Sequence, residues 1–115
     1  KLHNNGNPIR SWIHVEDTAS AIMHIIENGE INNKYNISAD FEQKNIVTVK
    51  KVIDCFFGKP MNHDDFIDYS YKREGQDVRY SLNCEKLHRL GWSSAKDFDK
   101  EIQNIVDYYK EGYKW

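Results

Sequence analysis

Gly6-Asn7-Pro8-Ile9-Arg10-Ser11-Trp12-Ile13-His14-Val15-Glu16-Asp17 carries three signals in order: a turn-forming Gly-Asn-Pro, an alternating run, and an acid placed to open a helix. From Arg10 to Val15, Ile13 and Val15 fall on one face while Trp12 and His14 fall on the other. That is the period of a short strand or extended segment. Asp17 then reads as the cap of a helix running to about Asn28, with Ala21, Ile22, Ile25 and Ile26 as its apolar stripe. Gly29 suits the left-handed position after such a helix.

Upstream, Lys1-Leu2-His3 leads at once into Asn4-Asn5-Gly6-Asn7-Pro8, without an initiator methionine. A turn-rich opening that runs straight into a strand is what a connection between two elements looks like. We therefore expect a fragment, or a processed chain, of something longer. Downstream, Tyr35 to Ser38 reads as a short strand. Asn45 stands where a cap belongs, ahead of a helix with Val49, Val52, Ile53, Phe56 and Phe57 inward and Gly58 and Pro60 as its stop. Met61 to Asp65 is loop-like, and Phe66 to Tyr71 alternates as a strand. Asn83 caps a short helix holding Leu87 and Leu90, ended by Gly91. Asp97 opens the last helix, where Phe98, Ile102, Ile105, Val106 and Tyr109 keep the helical period until Gly112. The expected fold class is α/β, helix-rich, with a few short strands.

At 115 residues the chain makes a single unit. Sixteen basic against eighteen acidic residues give a net charge of −2, with no basic stripe, which argues against a nucleic-acid partner and makes any anion site local. Apolar runs are too short to span a membrane. Cys55 and Cys84 lack CxxC spacing and read as reduced thiols of a cytoplasmic protein.

No glycine-rich phosphate loop is present, no tyrosine on a helix is followed by lysine four residues later, and no nucleophile elbow surrounds a serine. His63-Asp64-Asp65 is better read as a solvated acidic loop than a metal site. No catalytic residue and no cofactor-binding or metal-binding residue is assigned within the chain. One segment does point to a ligand. Arg73-Glu74-Gly75-Gln76-Asp77-Val78-Arg79-Tyr80 sets two arginines and an acid around a glycine turn, an arrangement that clamps an anion when guanidinium groups grip its oxygens in pairs. The bland reading is a set of surface salt bridges. Arg10 has a bland reading too, as a partner of Glu16 or Asp17.

Taken in order, the pieces resemble extended short-chain dehydrogenases that act on nucleotide sugars. The opening stretch resembles their G-x-x-x-R-(D/S)-(W/F)-(L/I)-x-V-x-D, Tyr35-Asn36-Ile37-Ser38 their Y-N-I-G, and Arg73 to Tyr80 their R-P-G-H-D-x-R-Y. Lys86-Leu87 through Leu90-Gly91-Trp92 to Tyr108-Tyr109 and Trp115 resembles K-(I/L)-x-x-L-G-W followed by W-Y-x-x-N-x-x-W. The combination is most similar to the nucleotide-sugar 4,6-dehydratases acting on dTDP-glucose and UDP-glucose, but only to their C-terminal third.

The resemblance implies the substrate-binding portion of a Rossmann-type enzyme whose NAD-binding domain and catalytic groups lie upstream. Such enzymes use tightly bound NAD to oxidise the sugar at C4, eliminate water across C5–C6, and return the hydride to C6. By position, Arg10 and Arg73 would hold the pyrophosphate of a dTDP- or UDP-linked sugar. Asn45 would meet the nucleotide end, Gln76 stands where the family has a histidine near the nucleotide, and Asp77 belongs to the same turn, where with Arg79 it ties the loop to the fold. The family is commonly dimeric through upstream helices. Ser11, Ser38-Ala39, Glu74 and Gln76 depart from the family pattern and leave dTDP and UDP both open. An epimerase, a decarboxylase and a non-catalytic nucleotide-binding module are the rival implications.

Overall fold

The computed structural model describes residues 1–112. A 3-10 turn over His3–Gly6 leads into strand β1 (Ile9–Ser11), helix α1 (Val15–Asn28), strand β2 (Glu42–Lys44) and helix α2 (Asn45–Phe57). A second 3-10 turn (His63–Asp65), helix α3 (Glu85–Arg89) and helix α4 (Phe98–Lys110) follow. The strands pair antiparallel, Ile9 with Lys44, Arg10 with Gln43 and Ser11 with Glu42. Arg79 adds an isolated parallel bridge to Ile9. The helix-rich α/β class expected from the sequence is the one found.

The core is small. Ala21, Leu87 and Trp92 form its buried centre, with Ile13, Ile25, Ile37 and Leu90 packed around them. Trp92 donates its indole N–H to Ser20 Oγ at 3.0 Å, so this large ring is buried with its polar atom paired. A second packing zone joins α2 to α4 through Gln103 Nε2, which donates to Cys55 O, and an ion pair of Lys51 with Asp99. The radius of gyration is 16.9 Å, against about 13 Å for a compact domain of this length. This open shape leaves apolar side chains uncovered: Val15, Ile22, Met23 and Ile26 line an exposed face of α1.

Several expectations are corrected. Helix α1 begins at Val15, which is 75% exposed, and its cap is His14, whose Nδ1 accepts from the Glu16 N–H. Asp17 is not the cap; it lies in the first turn, buried, and accepts from the backbone of Ala95 and Lys96. Of the stripe, Ala21 and Ile25 face the core, while Ile22 and Ile26 face outward. Gly29 is extended (φ −77°, ψ 153°) rather than left-handed. It is needed for space, because a Cβ there would sit 2.4 Å from Ile25 O.

Tyr35–Ser38 and Phe66–Tyr71 form no ladder among the described residues. An extended run becomes a strand only when a neighbour supplies its hydrogen bonds. Ser38 instead shares a hydrogen bond with Ser11 Oγ, while Asp68 and Tyr71 accept from Leu2 and Asn4 at isolated points. Asn45 is the first residue of α2, and Lys44 holds the cap position without a side-chain bond. In α2, Thr48 is the buried residue, whereas Val52, Phe56 and Phe57 remain partly exposed. Asp97 caps α4 as expected, accepting from the Lys100 N–H. Asn83 Oδ1 accepts from the Glu85 N–H at the start of α3. Trp115 lies outside the described residues.

Candidate functional site

The site is assembled where β1 meets the Arg73–Tyr80 segment. The Ile9 N–H donates to Val78 O at 2.7 Å, and the Tyr80 N–H donates to Ile9 O. Strand β1 is thereby held against the incoming loop, and Arg10 projects from that junction. Its Nη1 donates to Ile9 O at 2.7 Å, and both terminal nitrogens reach Asp77 O at 3.3 and 3.2 Å. The guanidinium carbon lies 4.3 Å from the centre of the Tyr80 ring.

These partners are neutral, so they orient the cation without cancelling its charge. The bland alternative for Arg10 is excluded by the same geometry: Glu16 pairs with Lys96, and Asp17 is occupied by two backbone N–H groups. Tyr80 in turn donates its hydroxyl to Asp77 Oδ2 at 2.5 Å. That bond raises the Tyr80 phenol above its ordinary pKa, while Arg10 and Arg73 both pull it down, so both arginines act on this one ring. The two arginines that the resemblance implied for a pyrophosphate thus both act electrostatically on the Tyr80 phenol.

The turn between them is open. Gly75 is left-handed (φ 65°), and a Cβ there would meet nothing within 4 Å. Asp77 spends its backbone carbonyl on Arg10 and its carboxylate on Tyr80. Through these contacts it braces the turn. Arg79 pairs with Glu42 of β2 at 2.7 Å, which ties the segment to the sheet. That pairing, together with Ser81, holds the Glu42 carboxyl below the usual carboxylate range. Gln76 is half-buried against Asn4. Asn45 sits just past the ladder, its backbone N–H on Pro8 O at 3.0 Å, and its side chain makes no hydrogen bond among the described residues.

Sequence reasoning missed the N-terminal corner. Asn4 contacts both Arg73 and Gln76, and its signal was faint: an Asn-Asn-Gly turn reads as loop chemistry only. It also missed a cleft of about 550 Å³ between α2, α4 and the end of β1, floored by Trp12, Phe41, Val52, Phe98, Ile102 and Ile105. Trp12 and Phe41 pack on Phe98 there, so Trp12 is a packing residue. The clamp residues do not line this cleft. His63 Nε2 lies 2.9 Å from Asp54 Oδ1, and no group of three or more metal-ligating side chains occurs among the described residues.

Comparison with known proteins gives a consistent picture. The chain is 33% identical over 118 residues to dTDP-glucose 4,6-dehydratase 1 of Escherichia coli K12, covering 99% of this chain and 33% of that protein. It is 31% identical to a trifunctional UDP-glucose 4,6-dehydratase/epimerase/reductase of Arabidopsis thaliana, covering 99% of this chain and 17% of that protein. It superposes with a TM-score of 0.82 on the crystal structure of dTDP-glucose 4,6-dehydratase from Bacillus anthracis in complex with NAD, at 32% identity, covering 99% of this chain and 35% of that one. The chain thus spans between 17% and 35% of the length of these relatives. The sequence profile described as GDP-mannose 4,6 dehydratase matches residues 2–105, and the chain belongs to that family.

Proposed function

We propose that this chain is the substrate-gripping portion of a nucleotide-sugar 4,6-dehydratase, with Arg10 and Arg73 holding the diphosphate of a dTDP- or UDP-linked sugar. The observation that carries the reading is the state of Arg10. It is a fixed guanidinium, tied to backbone carbonyls and an aromatic face, with no carboxylate paired to it among the described residues. Two guanidinium groups beside an open glycine turn suit an anion with several acceptor oxygens. Gln76 adds a neutral contact, Asp77 braces the turn, and Asn45 stands at the nucleotide end.

The catalytic groups and the NAD site belong, in this reading, to the part of the enzyme that this chain does not include. The dehydratase from Bacillus anthracis was solved with NAD, and this chain covers 35% of it. Grip on the non-reacting nucleotide contributes to catalysis by orienting the sugar. The relatives include both dTDP and UDP enzymes, so the nucleobase is a matter for experiment.

Calorimetric titration of the polypeptide carrying this chain with dTDP, UDP and GDP tests the proposal. Binding of at least one is expected, and Arg73→Ala should weaken it by about 1.5–3 kcal/mol, the range for charge-assisted hydrogen bonds. Unchanged affinity in Arg73→Ala would sink the clamp.

A further inference from the structure

Asn4 makes three side-chain hydrogen bonds to the clamp turn from about seventy residues away in sequence. Its Nδ2 donates to Arg73 O at 3.0 Å and to Gln76 Oε1 at 2.9 Å, while its Oδ1 accepts from the Arg73 N–H at 2.9 Å. The backbone partners fix which end of the amide is which, because an N–H only donates and a carbonyl only accepts. Asn4 therefore offers Gln76 a donor, and Gln76 must turn its oxygen inward to meet it. Gln76 Nε2 is left with no acceptor among the described residues. Asn4 itself is left-handed (φ 50°), a conformation asparagine tolerates better than most residues. The corner is also tied independently of this amide. The Asn4 N–H donates to Tyr71 O at 3.1 Å, and the His3 and Tyr71 rings lie 4.6 Å apart.

We propose that Asn4 is a positioning residue that sets the polarity of the clamp. By holding the Arg73 backbone and engaging the Gln76 oxygen, it leaves the Gln76 amide nitrogen as a donor on the same turn as Arg73. A donor at that point suits a group that accepts hydrogen bonds, as the ionised phosphates of a nucleoside diphosphate do. The proposal rests on the clamp reading above.

The test is calorimetry with dTDP and UDP on the polypeptide carrying this chain, as wild type, Asn4→Gly, Asn4→Asp, Gln76→Ala, Arg73→Ala and the Asn4→Gly/Gln76→Ala double variant. Asn4→Gly removes the amide while accepting the left-handed backbone, so its circular dichroism and urea midpoint serve as the folding control. Asn4→Asp keeps the shape but replaces the donor with an acceptor facing Arg73 O and Gln76. Both single changes at Asn4 should weaken nucleotide binding about tenfold. The double variant should bind within about twofold of the weaker single variant, because Asn4 acts partly through Gln76. Fully additive losses would make Asn4 an independent structural residue and overturn the proposal. So would wild-type affinity in Asn4→Gly alongside lost binding in Arg73→Ala, an outcome that leaves the clamp standing. Equal affinity in wild type and Arg73→Ala would bring down the clamp itself.

Discussion

Asp17 Oδ1 accepts the backbone N–H of Ala95 at 3.0 Å, joining the first turn of α1 to the approach to α4 across 78 positions. Its second oxygen accepts the Lys96 N–H at 3.1 Å, so one buried carboxylate meets two loop amides that would otherwise lack partners. A hydrogen bond to a charged group contributes about 1.5–3 kcal/mol, and Asp17 accepts two. Asp17→Ala should therefore lower unfolding stability by about 3 kcal/mol, with Asp17→Asn losing less because one acceptor survives. Urea denaturation measures this. A change below about 0.5 kcal/mol, the size of an ordinary surface substitution, would show that the tie is not structural.

Arg10→Lys keeps the charge and should still fail. Lysine lacks the planar fork that reaches two carbonyls, and it stacks less well on Tyr80. Nucleoside diphosphate affinity should fall by about 1.5–3 kcal/mol, with stability changing much less. Wild-type affinity in this variant would mean that the site senses only charge.

Gly6 and Gly75 share a left-handed backbone but differ in surroundings. A Cβ at Gly6 would lie 2.6 Å from Leu2 Cδ2 and 2.7 Å from Ile46 Cβ and N, whereas one at Gly75 would meet open space. Gly75→Ala should cost about 1–2 kcal/mol from backbone conformation alone. Gly6→Ala adds overpacking and should cost about 2–5 kcal/mol. Thermal unfolding of the two variants compares them, and equal losses would contradict the close packing at Gly6.

Burial pushes the Cys84 thiol above its ordinary range, Asp40 adds to this, and hydrogen bonds with Ser38 offset part of it. The folded state then binds the thiol proton more tightly than the unfolded chain does. The resulting stability is complete below the unfolded thiol value, about 8.5, and is lost as pH rises through the higher folded value. The urea midpoint should drop as pH rises above about 8.5, and drop less in Cys84→Ala. Identical pH slopes for the two proteins would remove Cys84 as the cause.

Legibility in the sequence followed range. Helices declared themselves through local period, so α2 and α4 were found nearly to their ends, and Asp97 was read as the cap it is. Strand β2 was invisible because Glu42-Gln43-Lys44 has no apolar alternation, and only its partner β1 makes it a strand. Tyr35–Ser38 had the composition of a strand but no neighbour to pair with. Asp17 looked like a cap because acids favour helix starts, yet its partners lie far down the chain. At the candidate site, Arg10 and Arg73 were singled out through the family pattern. The side-chain bonds of Asn4 to Arg73 and Gln76 were not, since no local rule joins positions that far apart.

The two arginines of the proposed clamp come from segments brought together by the pairing of Ile9 with Val78 and Tyr80 and by the bonds of Asn4 to Arg73 and Gln76. An unfolded chain scatters them and has no comparable affinity for a diphosphate. Any ligand that settles between them binds the native form alone, and mass action then adds RT ln(1 + [L]/Kd), about 2.7 kcal/mol at a hundredfold excess over Kd. With so small a buried centre, that increment is a substantial share of what keeps the lobe together. The concentration of the proposed ligand would then set how much of this part of the protein is folded as well as how often its site is filled.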